Sequence, residues 1–150
     1  MESCSMPSNV VIDASVVLAS VLNEPVSAKA SALLTHIQNL GQSLFAPLLL
    51  QYEVTATLRR FVYLNQLTTD EARDRLNTIL QMSIRYIHDR PLLVRAFELA
   101  TEFNRPRAYD TQYVALAERL GCEFWTSDEK LVNSLSARFE WVKSAARFSA

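Results

Sequence analysis

Glycine is nearly absent: Gly41 and Gly121 are the only two in 150 residues, where ordinary usage near 7% would supply roughly ten. A P-loop or dinucleotide-binding loop needs several glycines within one turn so that the backbone can approach phosphate, and neither glycine has another nearby. Both nucleotide-cradling classes are excluded. Cysteine and histidine are equally scarce. Cys4 and Cys122 lie far apart, and His36 and His88 stand alone, which leaves no CxxC redox pair and no Cys/His zinc spacing. Neither sign of charge dominates, since 15 basic and 16 acidic residues leave a formal charge of −1. No long-range basic field therefore marks the chain as a nucleic-acid binder, and any such contact must be local. Long hydrophobic runs are missing too. The opening MESCSMPSN has no basic stretch and the apolar run after it is interrupted by Asp13, so neither a secretion signal nor a membrane span is expected, and the protein is expected in the cytoplasm with its thiols reduced.

What is present suits one well-filled core. Apolar residues make up 49% and charged residues 21%, enough at this length to fold without a disulfide or structural metal. A polar tail over residues 1–9 precedes one domain over 10–150. Val10-Val11-Ile12 is a β-branched run that reads as a strand, and Ala14 to Leu22 turns apolar at helical spacing. A second helix is expected from Val26 to Leu40, with Gly41 as its positive-φ terminator, then a short strand over Ser43–Ala46. A long helix is expected from Pro47, at a tolerated first-turn position, through Gln66. Thr68 and Glu71 form a capping-box pair for the next helix. Ile84–Ile87 alternates as a strand, and Asp89 and Pro91 open a helix to about Phe103. After a loop over 104–109, Asp110 starts a helix that Gly121 closes, Cys122–Trp125 forms a strand, and a short helix with Phe139–Val142 completes the chain. Alternating strands and helices predict a three-layer α/β sandwich with a short, mostly parallel central sheet flanked by helices.

Four carboxylates stand out. In a parallel α/β sheet, ligands bind beyond the carboxyl ends of the strands, and Asp13 and Asp128 both lie just past the end of a predicted strand. Asp13, Asp110 and Asp128 also precede helical stretches, where aspartate is a favoured N-cap worth about 1 kcal/mol. Glu53 lies inside a helix at the margin of its Leu50, Val54, Phe61 stripe and cannot be a cap; it is either solvated or part of a site. Ser15 and Thr126 place hydroxyls two residues from Asp13 and Asp128, where they either cap or support a ligand. If the four carboxylates meet, their repulsion demands protons or cations. An oxygen-only donor set selects Mg²⁺ or Mn²⁺, and such ions make water acidic enough to attack a phosphodiester while neutralising charge on the transition state.

Val10-Val11-Ile12-Asp13-Ala14-Ser15, a glutamate inside a following long helix, and Asp110 followed by VALAERLGCEFWTSD together resemble the PIN domain and, within it, the VapC-type toxins. The Leu120-Gly121 turn, the strand after it and Thr126-Ser127-Asp128 are the most specific part, and the resemblance runs from about Val10 to Val142. It implies a Mg²⁺- or Mn²⁺-dependent endoribonuclease acting on single-stranded RNA, a homodimer, and in toxin members an antitoxin protein whose C-terminal segment enters the active-site groove. The family's acidic residues correspond to Asp13, Glu53, Asp110 and Asp128 as catalytic metal ligands, with Ser15 and Thr126 as supporting hydroxyls. Arg105 and Arg107 lie outside that pattern and read either as solvated loop residues or as contacts to RNA phosphate. Tyr52, Tyr109 and Tyr113 are available for base stacking or for packing, the Arg59-Arg60 pair for a basic rim or a solvated face, and Trp125 reads as packing. The alternative function is a non-catalytic PIN-like module that binds RNA or a protein partner while its aspartates cap helices. An aspartyl phosphatase is disfavoured, since Asp13-Ala14-Ser15 lacks a second aspartate two residues on.

Overall fold

Val10, Val11 and Ile12 are all buried, so both faces of their strand are covered, as the absence of polar alternation requires. This strand, β1 (Asn9–Ile12), is the centre of the sheet. The computed structural model describes residues 8–150. Residues 1–7 of the expected tail, Cys4 included, lie outside the described residues, and Asn9 already belongs to β1.

The chain continues as α1 (Ala14–Val21), α2 (Ser27–Asn39), β2 (Ser43–Pro47), α3 (Leu49–Tyr63), α4 (Thr69–Leu80), β3 (Ile84–Ile87), α5 (Arg90–Glu102), α6 (Asp110–Leu120), β4 (Glu123–Thr126), α7 (Glu129–Leu135) and β5 (Val142–Ser144), then a 3-10 turn at Ala145–Arg147. The five strands lie in the order β3-β2-β1-β4-β5 and every pairing is parallel. Seven α-helices flank the sheet among the described residues, giving the expected sandwich with a wholly parallel middle layer. Helix α6 packs on β1, β2 and β4 with α5 against it, and α1 packs with α2, α3 and α4. Phe124, Leu33, Leu50, Leu99, Leu116 and Leu131 are among the large side chains that this arrangement buries completely.

Local chemistry explains most boundaries. Thr68 and Glu71 make both halves of the capping box at the start of α4, and Asp89 caps α5 through the Leu92 N–H. Gly41 ends α2 at φ +68°, the left-handed conformation that a residue without Cβ adopts most easily. Three expectations differ. Pro47 ends β2 instead of opening a helix. The Leu48 N–H bonds to Ile87 O on β3, so the preceding position faces β1, where pairing has already stopped at Phe45; proline's missing donor costs nothing there. Helix α3 stops at Tyr63 rather than Gln66, because Asn65 turns to φ +57° and Gln66 N–H bonds back to Phe61 O, a Schellman closure. The last strand is Val142–Ser144, later than the Phe139–Val142 segment expected, because Phe124 N–H already bonds to Trp141 O and the β4 register begins opposite Val142.

Helix α6 is tied to α5 by a fully buried bond from Thr111 Oγ1 to Ala96 O, 2.8 Å. Thr111→Val is expected to lower unfolding stability by about 1 kcal/mol, read as a shifted urea midpoint, while Thr111→Ser stays closer to wild type.

Candidate active site

The strand order reverses direction between β1 and β4, since β2 and β3 build outward on one side and β5 on the other. The carboxyl ends of strands at such a switch point frame the natural crevice of a parallel sheet. Asp13 leaves β1 and Thr126-Ser127-Asp128 leaves β4 at this point, and Asp13 N–H still bonds to Trp125 O at 3.0 Å.

Asp13 occupies the N-cap position of α1 but its side chain makes no cap bond. Its Oδ2 accepts instead from Ser15 Oγ at 2.6 Å and from Thr126 Oγ1 at 2.7 Å. Those hydroxyls in turn accept the N–H groups of Ser127 and Asp128, at 3.0 and 3.1 Å. Each hydroxyl has a single proton, and both protons go to Asp13, so the turns after β1 and β4 are stitched together across the carboxylate. Asp13 is only 7% exposed. Burial is the main force pushing its pKa up to about 6, against the two hydroxyl bonds and with help from the Asp110 charge.

The other three acids arrive from separate elements. Asp128 caps α7, its Oδ1 accepting from Lys130 and Leu131 N–H, so the capping reading holds for this residue. Asp110 is the first residue of α6 and makes no cap; its Oδ2 accepts from Arg105 Nη2 at 3.2 Å. Burial raises its pKa, Arg105 opposes this and the Asp128 charge adds to it. Glu53 lies on α3, its Oε1 accepting from the Tyr113 hydroxyl at 2.7 Å. Burial pushes Glu53 up to about 7, the Tyr113 bond working against this and the charges of Asp13 and Asp110 adding to it. The fields thus link all four carboxylates, with Asp110 felt by or feeling each of the others.

A common pattern runs through the four. Each carboxylate takes its hydrogen bonds from side chains or helix N–H groups at one oxygen, Oδ2 of Asp13, Oε1 of Glu53, Oδ2 of Asp110 and Oδ1 of Asp128, and Asp13 gains a further bond from the Ala14 backbone. The second oxygen of each has no side-chain donor among the described residues. As they stand, no three histidine, cysteine or acidic side chains among the described residues are drawn into one chelating group. The donor set is wholly oxygen and braced, and its chemistry fits a hard divalent cation.

Two further side chains take part with partners that local sequence does not assign. Tyr113, weighed there for stacking or packing, is completely buried with its ring stacked 5.7 Å from Phe124, yet its hydroxyl holds Glu53. Its position one helical turn after Asp110 puts both on one face of α6 and was the available signal. Arg105 contacts the site directly, whereas Arg107 is exposed. Tyr52 and Tyr109 are exposed next to Glu53 and Asp110 in sequence. Arg59 and Arg60 face solvent. Trp125 packs edge-on against Phe148, and His36 lies beside the same ring, 5.3 Å away.

These shifts carry a sign. Asp13 and Glu53 bind protons more tightly folded than at their ordinary values of 3.8 and 4.5. Their stabilising protonation is complete below about pH 4 and is lost as pH rises through about 6 and 7. At about 1.4 kcal/mol per pH unit, Asp13 alone accounts for a fall on the order of 3 kcal/mol in the metal-free protein. Thermal unfolding from pH 5 to 8 in a chelator is expected to show Tm falling, the slope shrinking in Asp13→Asn, and Mn²⁺ raising wild-type Tm more at pH 8 than at pH 5.

The PIN domain family pattern matches residues 11–140. A VapC ribonuclease of Mycobacterium bovis is 30% identical over 129 residues, which cover 86% of this chain and 93% of the relative. Ribonuclease VapC9 of Mycobacterium tuberculosis matches with the same identity and coverage. The crystal structure of PAE2754 from Pyrobaculum aerophilum shares the fold, with a TM-score of 0.69 over 94% of this chain and 92% of that one at 21% identity. No helix among the described residues is long and apolar enough to cross a membrane. With its sheet order, its acidic switch point and a family match spanning most of its length all in agreement, the chain belongs to the PIN domain family.

Proposed function

We propose that this protein is an endoribonuclease that hydrolyses single-stranded RNA with the aid of Mg²⁺ or Mn²⁺, and that it is the toxin of a toxin–antitoxin pair. One observation carries the reading. Asp13, Glu53, Asp110 and Asp128 come from separate parts of the chain, their charges act on one another, and each is held by a hydrogen-bond brace. Caps alone do not account for this, because only Asp128 caps. The ribonuclease names of the mycobacterial relatives support the substrate class. The proposal extends to a homodimer and to an antitoxin protein as partners.

Asp13, Asp110 and Asp128 would hold the cation. When bound, a divalent ion supplies Lewis acidity to an attacking water and neutralises charge gathering on the phosphoryl oxygens. Glu53 is suited to a different task. Held at Oε1 by Tyr113, and with a pKa brought to about 7, it can take the proton of the attacking water at Oε2. The hydroxyls of Ser15 and Thr126 keep Asp13 in one orientation, so a ligand oxygen is in place before substrate arrives.

Asp13→Asn and Asp110→Asn are expected to stay folded, by circular dichroism, and to lose cleavage of a labelled single-stranded RNA by more than about 100-fold. Full activity in either would take that acid out of the reaction, and a wild type that binds single-stranded RNA without cleaving it would favour the non-catalytic module. Tyr113→Phe removes the bond that lowers the Glu53 pKa. The acidic limb of its pH–rate profile is therefore expected to move to higher pH, and an unmoved limb would take Glu53 out of the proton-accepting role.

A further inference from the structure

Four acids make a hostile landing place for RNA, whose backbone carries a negative charge at every phosphate. One cation already stands among them. Arg105 places Nη2 3.2 Å from Asp110 Oδ2 and Nη1 3.4 Å from Ser134 Oγ, with both charged side chains about two-thirds shielded, at 27% and 35% exposure.

The backbone delivers this arginine to the site by a specific device. Helix α5 ends in a Schellman closure: Asn104 takes φ +50°, its N–H bonds to Thr101 O at 3.1 Å, and Arg105 N–H bonds to Ala100 O at 2.8 Å. Pro106 then fixes the next step of the chain. Because α5 is tied to α6 through Thr111 and Ala96, the end of one helix and the start of the next are held in register. Arg105 therefore meets Asp110 by construction, although its side chain stays long enough to swing.

The oxygen that Arg105 occupies belongs to the acid whose charge acts on Asp13 and Glu53. A divalent ion and a guanidinium compete for the same negative charge. We propose that Arg105 is an exchangeable counter-cation of the site: it holds Asp110 while no metal is bound, and when a divalent cation takes Asp110 it turns outward to a phosphate of the RNA strand. The inference rests on the metal-dependent reading above. Arginine suits the second half of that exchange, since its planar fork offers several donors to a phosphate, and exposed Arg107 follows two residues on. Arg105 is thus a positioning residue in the empty site and a substrate contact in the loaded one.

Mn²⁺ titration calorimetry on the full chain, without RNA, separates this from a simple brace. Arg105→Gln is expected to bind Mn²⁺ about two- to fivefold more tightly than wild type, the size of a partly shielded ion pair that no longer has to be broken. At saturating Mn²⁺ its KM for single-stranded RNA is expected to rise by a similar factor with kcat within about twofold of wild type. Arg105→Lys, which keeps the charge, is expected to stay near wild type in both and guards against a folding defect in the first variant. Equal or weaker Mn²⁺ binding by Arg105→Gln would overturn the proposal, as would a fall in kcat with KM unchanged. Wild type that neither binds Mn²⁺ nor cleaves RNA would instead overturn the metal-dependent reading itself, and this inference with it.

Discussion

The parallel pairing of β1 with β4 is the contact on which the site depends. Its last rung, Asp13 N–H to Trp125 O, is where both strands leave the sheet. Asp13 follows one strand and Thr126-Ser127-Asp128 follows the other. A one-residue slip would carry Thr126 away from Asp13 and turn the side chains to the opposite face. The register is secured by burial on both faces, with Val10, Val11, Ile12 and Phe124 all inside. Two hydroxyls then complete what the backbone begins, each spending its one proton on Asp13.

Around that rung the molecule holds like charges together against their repulsion and their need for water. Burial raises Asp13, Glu53 and Asp110 from their ordinary values, which is an unfavourable contribution to folding at neutral pH. The core elsewhere offsets it. Local braces limit the damage: hydroxyls for Asp13, a phenol for Glu53, a guanidinium for Asp110 and helix N–H groups for Asp128. Asp13, Asp110 and Asp128 also sit at the starts of α1, α6 and α7, where the positive ends of helix dipoles favour negative charge. Such a site is strained toward the cation or proton that would relieve it.

The readable parts of the site were those whose reasons are local. Asp13 stood out because an acid directly after an apolar strand needs a cause, Asp128 because it lies just past a strand end, and Glu53 because it sits at a helix margin where no cap is needed. Ser15 and Thr126 were legible at two-residue spacing. Tyr113 and Arg105 were present in the same reading but with their partners unassigned. The Tyr113 bond to Glu53 joins residues 60 apart in sequence, and nothing in the neighbourhood of either residue encodes it. Arg105 is only five residues from Asp110, yet its approach depends on how the end of α5 packs against α6.

The sequence by itself determined the alternation of strand and helix, the capping box at Thr68, the left-handed terminators at Gly41 and Gly121, and which acids lacked an ordinary explanation. Each follows from dihedral preference, periodicity or the cost of burying charge within a few residues. Only the tertiary structure decided that Asp128 caps while Asp13 does not, that Pro47 closes a strand, and that four carboxylates share one field. Those outcomes turn on which strands become neighbours and which helices cover them, and long-range packing sets that, not the chemistry of any single segment.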